Sequence, residues 1–261
     1  MKDLIEYYNK FNEDKRLKRP YGQVEFLTTM KYIREYIGER KDLRILDIGA
    51  ATGVYSVPLS MEGHSVTAVD LVNYHVGILK QKKERMGLDH LQVFRGDARN
   101  LKKIPDASFD IVLCLGPMYH VFSEEDKVTV LCEARKKLLP GGILFTAYYM
   151  NEYGILIHGF REKAILNSLK EEKVDEDFHI RNKEEDLFSF DRIEDIDRYN
   201  ERAGLKRIKI LTPDGPANYM REDIQKMDDE TFSVFMRYHF STCERPDLLG
   251  AAAHLLDIVT N

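Results

Sequence analysis

The chain has 261 residues, of which 43% are hydrophobic and 32% charged, a composition that fills a globular core and excludes a disordered chain. Its formal net charge of -5 excludes a global positive field that would draw it to nucleic acid or to an acidic membrane. The sequence has no signal-peptide pattern and no apolar run near the ~20 residues of a membrane helix, so we expect a cytoplasmic protein without a membrane partner.

Residues 1–42 carry apolar side chains at helical spacing and are predicted to form an N-terminal helical cap, interrupted at Pro20-Tyr21-Gly22. In its first part Tyr7, Tyr8 and Phe11 are predicted to share one face. The basic run at positions 15–19 is predicted to be a solvated face, and steering of an anionic acceptor is the alternative.

Residues 43–150 alternate short apolar runs with helical stretches at 53–62, 73–87 and 123–139. The runs are rich in β-branched or aromatic residues and nearly continuous in hydrophobicity, which is typical of strands buried on both faces. They are Leu43–Ile48, Ser65–Asp70, Leu91–Phe94, Phe109–Leu115 and Gly142–Tyr149. This rhythm predicts an α/β fold with a doubly wound, mostly parallel sheet.

Residues 151–261 are predicted to continue the same domain. A helix near 155–172 and a second at about 191–203 precede a strand at 205–211, and a last apolar run spans 255–260. Three separated cysteines without a CxxC pair are predicted to be reduced packing or surface residues, and we predict no metal site.

The ends of the first three strands carry the residues that predict a ligand site. Asp47-Ile48-Gly49-Ala50-Ala51-Thr52-Gly53 follows strand one and precedes a helix, whose N-terminus offers free N–H groups. Asp70 ends strand two, where a carboxylate can accept the ribose hydroxyls of an adenosine, and Asp97-Ala98 follows strand three. Because the carboxyl ends of parallel strands share one edge, we expect these residues to meet there.

A dinucleotide is disfavoured as the ligand. The fingerprint GxGxxG requires glycine at positions 49, 51 and 54, where this chain has Gly49, Ala51 and Val54.

The same stretch, about residues 40–150, resembles the class I S-adenosylmethionine (SAM)-dependent methyltransferases. The segment 47–53 is similar to the first motif of that family, which wraps the methionine part of SAM, although Ala51 stands where the family often has glycine. The segments 109–115 and 138–142 resemble its fourth-strand motif and the turn into its fifth strand. The resemblance implies SAM as the cofactor and S-adenosylhomocysteine as the product. The predicted cofactor-binding residues are Asp47, Gly49, Ala50, Ala51, Gly53, Asp70, Leu71, Asp97, Ala98, Leu115 and Tyr21.

The family fold also implies a seven-stranded sheet whose last strand is antiparallel, with a helical insertion before that strand. Here the insertion would be segment 213–253, and we expect it to cover the methyl acceptor together with the N-terminal cap. It contains Tyr238, His239, Arg245 and Asp247.

Tyr119 and His120 are the candidate catalytic residues, because they follow the fourth strand in Gly116-Pro117-Met118-Tyr119-His120. The ordinary pKa of histidine suits proton transfer near neutrality. The alternative is a His120 that only hydrogen-bonds a covering segment or packs on Tyr119. For Tyr21 the alternative to binding the carboxylate region of SAM is plain packing.

The predicted function is methylation of a small molecule at O, N or C. The sequence shows no clear basic surface or recognition domain, which disfavours the alternative of an RNA or protein methyltransferase. A SAM- or nucleoside-binding protein without turnover is the third possibility. The sequence leaves the oligomeric state open between monomer and homodimer.

Overall fold

A mixed β-sheet forms the framework of the protein. The computed structural model describes residues 16–17 and 19–261, and within them seven strands hydrogen-bond in the order β3-β2-β1-β4-β5-β7-β6. The strands are β1 (Arg44–Ile48), β2 (Ser65–Asp70), β3 (Leu91–Arg95), β4 (Phe109–Cys114), β5 (Leu138–Tyr149), β6 (Lys206–Leu211) and β7 (His254–Thr260). Only β7 runs antiparallel to its neighbours in this described sheet. The predicted doubly wound sheet with an antiparallel last strand is confirmed.

Helices cover both faces of the sheet. They are α1 (Pro20–Ile37), α2 (Ser56–Met61), α3 (Asn73–Met86), α4 (Glu124–Lys137), α5 (Asn151–Gly154), α6 (Ile165–Lys170), α7 (Ile193–Ala203), α8 (Arg221–Gln225) and α9 (Asp229–Thr242). Short turns of other helical type span Pro117–His120, Ile155–Arg161 and Pro246–Leu248. Among residues 16–17 and 19–261, none of the helices has the length and apolar character to span a lipid bilayer.

The core lies in two layers, one on each face of the sheet. Neighbouring side chains of a strand enter opposite layers: Ile45 packs with α1, α2 and α3, whereas Leu46 packs with α4 and α7. Ile111 and Val112 of β4 divide in the same way. This alternation explains why the central strands read as continuous apolar runs.

The prediction of one continuous helix near 155–172 is wrong. After α5 and a π-helical turn the chain reverses at Lys163, which has a positive φ of 61°, before α6 begins at Ile165. The Ile165 side chain packs on Gly159, where a Cβ would lie 3.2 Å from it. The helix predicted at 123–139 ends at Lys137, and β5 starts at the next residue.

A third, smaller cluster joins α1 to the segment before β7. Val24 of α1 packs with Ile224 of α8 and Met236 of α9. The predicted helical insertion at 213–253 therefore packs mainly on α1. Tyr7, Tyr8, Phe11, Lys15 and Lys18, which entered the sequence predictions, lie outside the described residues.

Candidate functional site

One cavity opens at the carboxyl ends of β1, β2 and β4, where the predicted ligand residues meet. Most of the predicted site residues line it: Asp47, Gly49, Ala50, Ala51, Asp70, Leu71, Asp97, Ala98, Leu115, Tyr119 and His120. Gly53 and Tyr21 do not.

The loop after β1 bends sharply because three of its residues adopt positive φ. These are Gly49 at 76°, Ala51 at 45° and Gly53 at 88°. A Cβ at position 49 would lie 2.7 Å from the Pro117 ring, so glycine is required there for close approach of two loops. A Cβ at position 53 would lie 2.3 Å from the Leu79 side chain. Gly53 thus allows α3 to pack on the loop, and its place is behind the cavity wall.

Asp70 fixes this loop from the end of β2. Its carboxylate accepts hydrogen bonds from the backbone N–H of Ala51 and of Val72, both at 2.8 Å, and contacts the His75 ring at 3.3 Å. The hydrogen bond that the Ala51 N–H donates to Asp70 offsets the energetic cost of the left-handed backbone conformation of Ala51, a non-glycine residue. Asp70 is therefore a structural anchor of the loop as well as the predicted ribose ligand.

Asp47 lies beneath the loop, and the Ser56 hydroxyl donates a hydrogen bond to its carboxylate at 2.5 Å. Burial raises the pKa of Asp47 to about 7, against the lowering effect of the Ser56 hydrogen bond. The carboxyl group is thus poised to change its charge near neutrality when a charged ligand enters the cavity.

Asp97 is held by an arginine. Arg99 donates to both carboxylate oxygens of Asp97 and to Asp126 of α4 at 2.9 Å. These hydrogen bonds keep the pKa of Asp97 below its usual value. The carboxylate predicted to face the adenine amino group is therefore ionised and fixed in position.

Tyr119 and His120 lie on the helical turn after β4. The Tyr119 hydroxyl donates to the Leu115 carbonyl at 3.0 Å. The His120 Nδ1 donates to the Leu187 carbonyl at 3.1 Å, because a carbonyl can only accept. Burial lowers the pKa of His120 to about 4, so the imidazole is neutral at physiological pH.

The segment around Leu187 covers the cavity, which the sequence predictions missed. Glu184, Glu185, Asp186 and Leu187 line the cavity, and the Ser189 N–H donates to the Tyr119 carbonyl at 2.9 Å. Of the expected cover at 213–253, only Pro213 lines it. The sequence signal for the real cover was weak: an acidic run before a short apolar stretch.

Tyr21 lies in the small cluster between α1 and α8, with the Arg221 guanidinium 5.2 Å from its ring. This position matches the alternative of packing and gives no support to a role in cofactor binding.

The far end of the cavity holds a partly buried charged cluster that the sequence predictions also missed. Arg16 forms a two-pronged ion pair with Glu25 of α1, at 2.7 and 3.0 Å. His254, the first residue of β7, donates from Nδ1 to Asp214 at 2.7 Å and lies 4.0 Å from Glu25. Burial raises the pKa of Glu25, but Arg16 and His254 outweigh it and lower the value to about 2.

The strand order, the glycine turn after β1 and the acid that ends β2 define the fold of the class I SAM-dependent methyltransferases. Residues 45–142 match the model of a methyltransferase domain family. This match confirms the resemblance predicted from the sequence.

Individual relatives extend the comparison. A ubiquinone biosynthesis O-methyltransferase from Maricaulis maris is 33% identical over 112 residues, 42% of each protein. A SAM-dependent Diels-Alderase, iccD, from Talaromyces variabilis is 31% identical over 101 residues, 38% of this chain and 34% of that protein. A SAM-dependent methyltransferase structure from Clostridium acetobutylicum superposes with a TM-score of 0.59 at 14% identity and covers 91% of both chains. The chain spans between 35% and 54% of the first four curated relatives.

Proposed function

We propose that the chain transfers the methyl group of SAM to a small-molecule acceptor. The observation that carries the proposal is one continuous cavity, which runs from Gly49 and Asp70 at the cofactor end to Glu25 and His254 at the far end. An acceptor bound at the far end would share this cavity with the cofactor. The O-methyltransferase relative supports a small-molecule acceptor.

The cofactor-end residues fit SAM in this arrangement. The loop at Gly49–Ala51 would hold the methionine part, Asp70 the ribose, and Asp97 with Ala98 the adenine, while Leu71 and Leu115 complete the walls. Bound there, SAM supplies an activated methyl group. The protein then contributes alignment and exclusion of water, and the covering segment 184–187 supports the second of these.

His120 and Tyr119 remain candidates for the chemical step. His120 lines the cavity and is neutral, so it can accept a proton, but a pKa of about 4 makes it a weak base. Its hydrogen bond to the covering segment supports a second role in closing the site.

A second function is favoured by the Talaromyces relative, whose name describes SAM-dependent cyclisation. In this alternative the same cavity binds SAM without transferring its methyl group. An RNA or protein acceptor remains the third alternative, and a cytoplasmic location remains a prediction.

The test is transfer of labelled methyl from SAM into fractionated cell extract, separated into metabolites, RNA and protein. Label in metabolites is expected. Label confined to macromolecules would refute the small-molecule acceptor. SAM binding without label in any fraction would favour the cyclisation alternative.

A further inference from the structure

Two carboxylates and two aromatic rings, each from a different element, surround the His254 ring. Asp214, in the loop after β6, accepts its Nδ1 hydrogen at 2.7 Å, and Glu25 of α1 lies beyond at 4.0 Å. The Tyr149 ring of β5 stacks on the imidazole at 4.8 Å with an angle of 9°, and Tyr119 meets it edge-on at 6.2 Å. These contacts leave the ring one orientation.

The other ring nitrogen, Nε2, is the reactive edge. No described residue hydrogen-bonds to Nε2, and this atom is not fully buried. The side chain keeps 14% of its surface accessible and lines the cavity. Because Nδ1 carries the proton that Asp214 accepts, the neutral ring presents a lone pair at Nε2.

We infer that His254 is the general base of methyl transfer, with Asp214 as the residue that positions it, and that the acceptor carries a phenolic hydroxyl. The inference rests on the proposed function. A base is needed only when the acceptor has a proton to lose, and a phenol is a weak nucleophile until it loses that proton. The stack of Tyr149 on His254 extends an aromatic wall toward Tyr119, against which a phenol ring can pack.

The proton and electron movements balance without a further reactant. The phenol O–H gives its proton to Nε2 while the oxygen lone pair bonds to the methyl carbon. The carbon–sulfur bond breaks with its electron pair on sulfur, which loses its positive charge. The resulting imidazolium is stabilised by Asp214 and Glu25, and it returns the proton to solvent when the product leaves.

The charges around His254 set its proton affinity. Burial would lower its pKa, but Glu25 and Asp214 outweigh this effect and raise the pKa above its usual value, with Arg16 opposing them. The only further titratable groups that contact the ring among the described residues are the phenols of Tyr149 and Tyr119. The rate should therefore rise with pH through a value above 6.5, as the base loses its resting proton.

A metal ion is the competing explanation for this cluster, because Glu25, Asp214 and His254 bring their ligand-type atoms within 4.8 Å of one another. One observation favours the base. Arg16 already neutralises Glu25 through two hydrogen bonds. This ion pair opposes a bound dication.

The test uses the full chain with SAM and three phenolic probes: catechol, 3,4-dihydroxybenzoate and caffeate. His254→Asn keeps an amide donor for Asp214 but removes the base, and kcat should fall about 10²–10⁴-fold. SAM affinity should change less than twofold, and the rising limb of the pH profile should vanish. His90 is an exposed histidine before β3, and His90→Asn is the matched control. This variant should leave kcat, SAM affinity and the pH profile unchanged.

A second variant gives a readout that does not depend on turnover. Asp214→Asn removes one charge beside the ring, so the His254 pKa followed by NMR of ring-labelled protein should fall, and the pH–rate limb should move down with it. Failure of the wild type to bind SAM would refute the proposed function itself. With SAM binding intact, three results would overturn the base inference: no methylation of any phenol, a limb retained in His254→Asn, or activity removed by EDTA and restored by Mg²⁺ or Zn²⁺.

Discussion

The backbone N–H of Ala51 donates to the Asp70 carboxylate at 2.8 Å, and this contact joins the glycine turn after β1 to the end of β2. The two residues are predicted ligands of different parts of SAM, the methionine portion and the ribose. We therefore expect a substitution at either residue to displace the other, and ligand binding to fix the positions of both.

The first prediction concerns ligand identity. SAM or S-adenosylhomocysteine should raise the melting temperature of the protein, since a ligand at 100 times its Kd adds about 2.7 kcal/mol to the free energy of unfolding. NAD at the same concentration should leave it unchanged. A thermal shift with NAD alone would contradict the cofactor assignment.

Asp70→Ala should lower SAM affinity by about 1.5–3 kcal/mol, measured by calorimetry, because it removes a charged acceptor. It should also lower the melting temperature, since two backbone N–H groups lose their partner. Asp70→Asn keeps one carbonyl acceptor and should lose affinity with a smaller loss of stability. Unchanged affinity in both variants would show that the ribose is held elsewhere.

Asp47 should make SAM binding depend on pH. With a pKa of about 7 in the free protein, its carboxyl group is half protonated near neutrality, and a sulfonium cation in the cavity favours the ionised form. SAM affinity should therefore rise as pH increases through about 7, with release of protons measurable by calorimetry in buffers of different ionisation enthalpy. S-adenosylhomocysteine, which lacks the sulfonium charge, should show a weaker trend, and Asp47→Asn should abolish it. An equal trend for both ligands would point to another group.

Gly53→Ala should destabilise the fold by about 1–3 kcal/mol through its clash with Leu79, added to the strain at φ 88°. Gly63→Ala is the matched control, since its φ is 93° but no heavy atom lies within 4 Å of the added Cβ. The difference between the two variants in the loss of unfolding free energy measures the clash with Leu79 alone. Folded Gly53→Ala protein should bind SAM with nearly normal affinity; a specific loss of binding would restore Gly53 as a ligand residue.

His120→Gln separates the two roles proposed for His120. A closing role predicts that glutamine, which can still donate to Leu187, keeps most of kcat, while His120→Ala raises the acceptor KM. A base role predicts a fall in kcat of about 10²–10⁴-fold for both variants. With its pKa lowered to about 4, the wild-type His120 is deprotonated above pH 5, so it should contribute no limb to the rate between pH 5.5 and 8.5.

The sheet and the cofactor end of the cavity were predictable because their signals are local in sequence. Asp47, Gly49 and Asp70 each follow a recognisable buried strand, and parallel strands bring their ends together. The far end was not predictable in this way. Glu25, Asp214 and His254 come from a helix, a loop and a strand that are remote in sequence, and each is ordinary alone. The role of Gly53 likewise depends on Leu79, a contact that no spacing indicates.

The acidic character of the covering segment has a consequence for turnover. Glu184, Glu185 and Asp186 line the mouth of a cavity whose walls already hold Asp70 and Asp97. A mouth rich in carboxylates attracts a cation more strongly than a molecule of similar shape without net charge. SAM carries one more positive charge than the product it leaves behind. On the proposed function, we expect these three acidic residues to favour entry of SAM over retention of the product. We also expect them to repel acceptors that carry phosphate or several carboxylates.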